Sequence, residues 1–313
     1  MRAVVIHNPS SGASSHASPL QAALTQLRAL GWEIVARETQ AGGDATRLAR
    51  QAADENFDAA FAVGGDGTVN EVLNGLLDSP TALAVLPLGT ANVWALEMGL
   101  PLNDMARAAT LQAHAPVRAV DIGIARGGNK DDAFGPRAFL LFCGAGFDAS
   151  VIREVEAQRV LKRQWGKLFF ILVGLRQALQ YRGRRVTVTV DGKTYKRRVI
   201  LALASNAQLY GALVRMPPDA RIDDGILDVT LLHGDNALHT AWHFIRLGMG
   251  FYKQQPDIEH LRGRAIEIRG ATLPVHVDAE PVGATPLQIQ IKPRAVRVFV
   301  PETANRKLFE TGD

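Results

Sequence analysis

The stretch from Phe61 to Leu77, "FAVGGDGTVNEVLNGLL", sets three glycines and an aspartate between an apolar run and a helical pattern. Glycines at a strand-to-helix turn let backbone amides approach a polyanion, and the dipole of the following helix favours negative charge at that end. The chemistry this suits is phosphate binding. A plainer reading stands beside it, because Thr68 and Glu71 have capping-box spacing and glycine can simply make a tight turn. The loop lacks the Lys-Ser/Thr of a P-loop and the full spacing of a dinucleotide fingerprint. A triphosphate here would be neutralised mainly by Mg2+ and backbone amides, with Asp66 holding magnesium through water.

Two further loops rich in Gly, Ser and Thr follow expected strands: "NPSSG" (8–12) and "LPLGTAN" (86–92). In open α/β sheets ligands collect beyond the carboxyl ends of the strands, so three such loops on one edge point to a nucleotide. The elements that must position them alternate: "AVVIH", a helix near 18–30, "WEIVAR", a helix near 44–54, "FDAAFAV", a helix near 69–78, and "ALAVLP". Strict alternation predicts a parallel sheet covered by helices, here an open α/β nucleotide-binding domain over residues 1–118.

From "VRAVDIGIA" onward period-two strands dominate, and "VTVTVDGKTYKRRVILAL" carries Asp191-Gly192, a two-residue hairpin signal. Residues 119–301 therefore read as an antiparallel β-sandwich domain interrupted by helices near 150–180 and 236–252, with 302–313 available to rejoin the first domain. "WGKLFFILVGLRQALQYRGRR" (165–185) and "TAWHFIRLGMGFYK" (240–253) combine apolar and basic residues. Each suits either a membrane interface or a core face.

A single cysteine, Cys143, cannot form an internal disulfide, which fits a reducing cytosol. The first residues do not read as a signal peptide, and "LFFILVGL" (168–175) falls short of the roughly 18 apolar residues of a membrane span. The expected location is the cytosol, with transient contact to a membrane. Net charge is only +4, yet between Arg159 and Arg198 twelve Lys and Arg face one acid, Asp191. Such a patch favours an anionic partner.

In their order and spacing, "NPSSG", "GGDGTVNEVLNGL" and "LPLGTAN" resemble the catalytic domain of the diacylglycerol kinase family, in its bacterial soluble lipid-kinase branch. The likeness continues through "GAGFDA" (144–149), "LYGALVRMPPDARIDDGILDV" (209–229) and "VHVDAEPVG" (275–283), and so covers nearly the whole chain. The resemblance implies an ATP- and Mg2+-dependent kinase with a lipid domain and an active site between domains. Asn8, Pro9, Ser10, Ser11, Gly12, Thr39, Gly64, Gly65, Asp66, Gly67, Thr68, Val69, Asn70, Glu71, Gly89, Thr90 and Asn92 would bind ATP. Asp66 would organise the catalytic magnesium.

By the same resemblance Glu280 is the proton acceptor and Asp278 assists it. Two apart on an expected strand, they would face the same side and act as one unit. "ARIDDGILDV" resembles a structural magnesium loop, with the Asp224 side chain and the Arg221 and Ile226 carbonyls as ligands; an Asp-Gly turn is the plainer alternative. The implied acceptor is diacylglycerol or a related lipid alcohol, with a sphingoid base or phosphatidylglycerol as variants. The implied partners are a membrane surface and, in a dimer, a second copy, but not nucleic acid.

Two departures from the family pattern bear on activity. Val93 stands where a carboxylate is commoner, and Ala279 stands where Gly is usual. They keep open a catalytically inactive nucleotide- or lipid-binding regulator, and the shared GGDG loop keeps open NAD kinase.

Overall fold

The structure is a computed structural model of the 313-residue chain and describes residues 1–9, 17–88, 92–129, 133–212, 214–249 and 256–310. It divides into two compact units. The first comprises Met1–Ile122, Ile222–Asp224 and Pro293–Asp313, and the second Gly123–Arg221 and Gly225–Lys292.

The first unit runs β1 (Arg2–His7), α1 (Ala17–Ala29), β2 (Glu33–Glu38), α2 (Asp44–Asp54), β3 (Ala59–Gly64), α3 (Asp66–Leu76), β4 (Ala82–Pro87), α4 (Val93–Glu97), α5 (Met105–Ala113) and the start of β5 (Val117–Gly127). β2, β1, β3 and β4 are parallel neighbours in that order. β3 and β4 are buried along their whole length, as apolar strands covered on both faces must be. Trp32, Phe61 and Phe299 pack together in the core, with ring centroids 5.8–6.4 Å apart.

The second unit contains β6 (Phe134–Phe139), β7 (Phe142–Gly146), α6 (Phe147–Ala157), α7 (Arg159–Ala178), β8 (Arg184–Val190), β9 (Lys193–Ser205), β10 (Leu209–Tyr210), β11 (Val214–Arg215), β12 (Leu227–His233), α8 (Ala237–Gly248), β13 (Ile258–Gly263), β14 (Ala265–Gly270), β15 (Pro274–Val277), β16 (Glu280–Ala284) and the start of β17 (Leu287–Phe299). Its strands pair antiparallel in the order β16-β15-β7-β9-β8-β14-β17, with β12 also on β9 and β13 on β12. Asp191 (φ 46°) and Gly192 (φ 83°) make the expected two-residue turn between β8 and β9. α6 packs on α7, and α7 on α8.

The sequence puts the return of the chain to the first unit at 302. Here it lies at 293, because Arg297 and Val298 of β17 pair parallel with Ala82 and Leu83 of β4.

The helix after the glycine loop begins at Asp66, three residues before the start that its apolar spacing suggests. α3 then packs closely on α2 through Gly75, where a Cβ would lie 2.4 Å from the Thr46 carbonyl oxygen and 2.6 Å from the Ala49 Cβ. That contact is with backbone, which cannot rotate aside. Gly75→Ala gains up to about 1 kcal/mol of helix propensity, but overpacking costs about 1–3 kcal/mol and should win. Urea unfolding should therefore show a lower midpoint for the variant.

Candidate active site

Parallel pairing brings the carboxyl ends of β2, β1, β3 and β4 to one edge of the first unit. The Asn8 amide donates to the Val63 carbonyl (3.3 Å), Leu88 to Gly64 (3.0 Å), and Thr39 to His7 (2.9 Å). Thr39, Asn8, Gly65 and Leu88 are thus neighbours by backbone geometry. Gly64 is crowded, since a Cβ there would lie 2.4 Å from Thr68 Oγ1. Gly65 is open, with only the Leu88 oxygen at 3.9 Å. The first helical bond of α3 runs from Val69 N–H to the Gly65 carbonyl (3.1 Å). The amides of Asp66, Gly67 and Thr68 precede it and have no acceptor inside the helix. A phosphate group can take them. Ser10, Ser11, Gly12, Gly89 and Thr90 lie outside the described residues.

Thr68 is not the helix cap. The N-cap is Gly65, and no side chain caps it. Thr68 sits in the first turn, buried, with Oγ1 3.5 Å from Asn8 Nδ2. Glu71 turns instead to α2, where its carboxylate accepts from the Gly43 and Ala45 amides (3.0 and 3.2 Å). Asp66 bonds similarly to the start of α4, accepting from Val93 N–H at 2.9 Å and Trp94 N–H at 3.4 Å. Asn92 caps α4 through Ala95 N–H (2.9 Å) and donates to the Gly64 carbonyl (3.1 Å). Val69 and Asn70 are buried in α3, and Asn74 Nδ2 donates to Asn70 Oδ1 at 3.1 Å.

In the second unit, Asp278 and Glu280 do not share a strand face. Val277 pairs with Glu280, and Asp278 (φ 44°) and Ala279 (φ 64°) form a two-residue turn, both in the left-handed region. The buried Asp278 carboxylate accepts from the amides of Leu140 (2.9 Å), Leu141 (3.0 Å) and Phe142 (2.9 Å), and its own amide donates to the Phe142 carbonyl (2.9 Å). Glu280 begins β16 and pairs with Arg137, their side chains 34% and 35% exposed. Arg137 Nε is buried without an acceptor among the described residues.

Behind the turn lies a buried polar chain. Ala279 N–H donates to His276 Nδ1 (3.3 Å), so Nε2 carries the proton and donates to Asp148 Oδ2 (2.7 Å). Tyr210 O–H donates to the same oxygen at 2.9 Å. Burial, and then the charge of Asp148, push the Tyr210 hydroxyl well above its ordinary pKa.

A family model described as the diacylglycerol kinase catalytic domain matches residues 2–125, and one described as the YegS C-terminal NAD kinase beta sandwich-like domain matches residues 142–300. The chain belongs to the diacylglycerol kinase family, in this two-domain form. A diacylglycerol kinase of Bacillus subtilis (strain 168) is 29% identical, covering 98% of this chain and 99% of that protein. One of Staphylococcus aureus (strain bovine RF122 / ET3-1) is 28% identical, covering 98% and 95%. A crystal structure of a diacylglycerol kinase from Bacillus anthracis str. Sterne has TM-score 0.73 at 24% identity, covering 97% of this chain and 98% of that one. Yeast NADH kinase complexed with NADH has TM-score 0.52 at 10% identity, covering 98% and 84%. These last two likenesses are of fold.

In this member of the family both sequence departures have a structural account. Val93 is buried and serves Asp66 through its amide, while Ala279 keeps the positive φ that glycine would adopt freely. Of the residues in the resembling magnesium loop, Asp224 falls in the first unit and Arg221 and Ile226 in the second. Among the described residues no group of three or more His, Cys, Asp or Glu could hold a metal ion. Sequence reading missed Arg137, Asp148, His276 and Tyr210. Asp148 and His276 sit inside the quoted "GAGFDA" and "VHVDAEPVG", which was the available signal.

The turn can be tested by stability. The left-handed backbone costs Ala279 about 1–2 kcal/mol, and Gly loses about 0.4–1 kcal/mol through unfolded-chain entropy. Ala279→Gly should therefore stabilise by about 0.5–1 kcal/mol. Asp278→Ala strands three buried amides and should cost about 3 kcal/mol or more. Urea unfolding of the two variants should move in opposite directions.

Proposed function

We propose that the chain transfers the γ-phosphoryl group of ATP to the hydroxyl of diacylglycerol or a closely related lipid alcohol, with Mg2+ required. An alcohol attacking phosphorus must lose a proton, so the reaction needs a base beside the acceptor. The observation that carries the reading is Glu280: a partly exposed carboxylate at the head of an over-determined turn, with an arginine beside it. Glu280 takes the hydroxyl proton, and Asp278 acts only by fixing the turn. Family models over both units and relatives named diacylglycerol kinase along 98% of the chain support the same acceptor class.

On the nucleotide side the amides of the first turn of α3, which have no acceptor within the helix, bind phosphate oxygens, with Asn8 and Thr39 at the same strand edge. Mg2+ takes one or two carboxylates plus phosphate oxygens and keeps several waters, so Asp66 alone, without a cluster of acids, fits it. When bound, the ion neutralises charge on the phosphates.

A lipid acceptor brings the chain to a membrane surface from the cytosol, and among the described residues no helix is long and apolar enough to cross one. The likeness to NADH kinase is of fold and favours no soluble acceptor. The inactive-regulator reading rested on Val93 and Ala279, and both keep the local geometry.

Glu280→Gln keeps the shape and removes the base. Its kcat toward diacylglycerol should fall by about 10²–10⁴-fold, while ATP affinity, measured by calorimetry, stays unchanged. Undiminished turnover would remove Glu280 from the mechanism.

A further inference from the structure

We propose that Arg137 is a positioning residue for the phosphoryl transfer: its guanidinium holds the Glu280 carboxylate ionised and aimed at the acceptor hydroxyl. The inference deepens the lipid-kinase reading and rests on Glu280 as its base.

Both residues extend from one knot of backbone. The segment Leu140–Phe142 leads from β6 into β7, and the Asp278 carboxylate takes all three of its amides. From the other side the Asn206 backbone amide donates to the Leu141 carbonyl at 2.9 Å, and the Asn206 side chain donates to the Leu140 carbonyl at 3.0 Å. Arg137 lies just before that segment on β6, where it pairs with Ala125 of β5. Glu280 lies just after Asp278. The same clamp therefore sets the approach of Arg137 Nη2 to Glu280 Oε2, although 143 positions separate the two in the chain.

Two observations argue against a role in stability alone. The side chains are 35% and 34% exposed, and an ion pair that far into solvent adds little to folding. Arg137 Nε is nevertheless buried with no acceptor among the described residues, which costs the fold. A side chain present only to pack would not carry that cost. One whose charge is needed at Glu280 does.

The need is chemical. The proton leaves the acceptor hydroxyl as its oxygen bonds to the γ-phosphorus and the bond from phosphorus to the ADP oxygen breaks, and only an ionised carboxylate can take it. A cation beside the carboxylate favours that form, and a guanidinium keeps its charge at any working pH. β15 and α6 pack against β16, and their other ionisable groups are engaged elsewhere. Asp278 holds its three amides, His276 bonds Ala279 and Asp148, Asp148 also bonds Tyr210, and Glu154 pairs with Arg176. Arg153 and Glu156 lie more than a helical turn beyond Asp148 on α6.

The test measures kcat and KM for diacylglycerol across pH in Arg137→Gln, Arg137→Lys, Glu280→Gln and the double variant Arg137→Gln/Glu280→Gln. Arg137→Gln should lower kcat by about ten- to a hundredfold with KM for ATP unchanged. The acid limb of its kcat/KM profile should move up by about one pH unit or more, because the base then protonates more readily. Arg137→Lys, which keeps the charge and guards against misfolding, should leave that limb in place while losing part of kcat with the planar fork. In the Glu280→Gln background the Arg137→Gln change should cost under about twofold, since no carboxylate is left to hold. An acid limb unmoved in Arg137→Gln, or an equal loss with and without Glu280, would overturn the proposal. Undiminished turnover by Glu280→Gln alone would instead remove the base, and this proposal with it, so the two failures are told apart.

Discussion

The buried carboxylate of Asp278 binds three consecutive amides, those of Leu140, Leu141 and Phe142, and the placement of Glu280 in the second unit depends on that grip. An ionised carboxylate taken out of water is costly unless its lone pairs are filled, and charged hydrogen bonds to fixed backbone donors fill them. The same bonds hold Asp278 and Ala279 in left-handed backbone that neither residue prefers. His276 supports the turn from behind by accepting the Ala279 amide, and Asp148 fixes the tautomer that can do so. Glu280 leaves this turn as the first residue of β16 with its side chain partly in solvent. The base proposed at Glu280 is placed by backbone that is over-determined in this way and so does not have to be ordered again at each turnover.

The first unit uses carboxylates and amides by the same logic. Asp66 and Glu71 take up the starting amides of α4 and α2, which ties the glycine-loop helix to both neighbours. The amides at the start of α3 itself have no acceptor within the helix and are the ones proposed to meet phosphate. Its N-cap, Gly65, brings no side chain to compete for them.

The alternation of the first unit was legible because fully buried parallel strands must be apolar throughout, and Asp191-Gly192 announces its turn by residue type. The convergence of Asn8, Thr39 and Gly65 follows from that sheet. The start of α3 was not legible. Local spacing offered Thr68 and Glu71 to each other, but tertiary structure gives Glu71 to α2, 26 and 28 residues away in sequence. Period-two reasoning failed at Asp278 for a related reason. Asp-Ala carries no turn signal, and the bonds that impose one come from residues 136–138 positions earlier. Arg137 and Glu280, 143 apart, could not be paired by spacing at all.

The outer face of α7 and α8 was ambiguous in sequence between core and interface. The fold resolves it into both: one stripe of each helix is packed and the other is exposed. Whether the phosphoryl group reaches a lipid is the claim on which the account stands. The direct measurement is to incubate the chain with γ-labelled ATP, diacylglycerol in mixed micelles and NAD, and to follow the label into the organic phase. The account predicts a lipid phosphate monoester carrying the label. Label found on NAD, or only on inorganic phosphate, would contradict it.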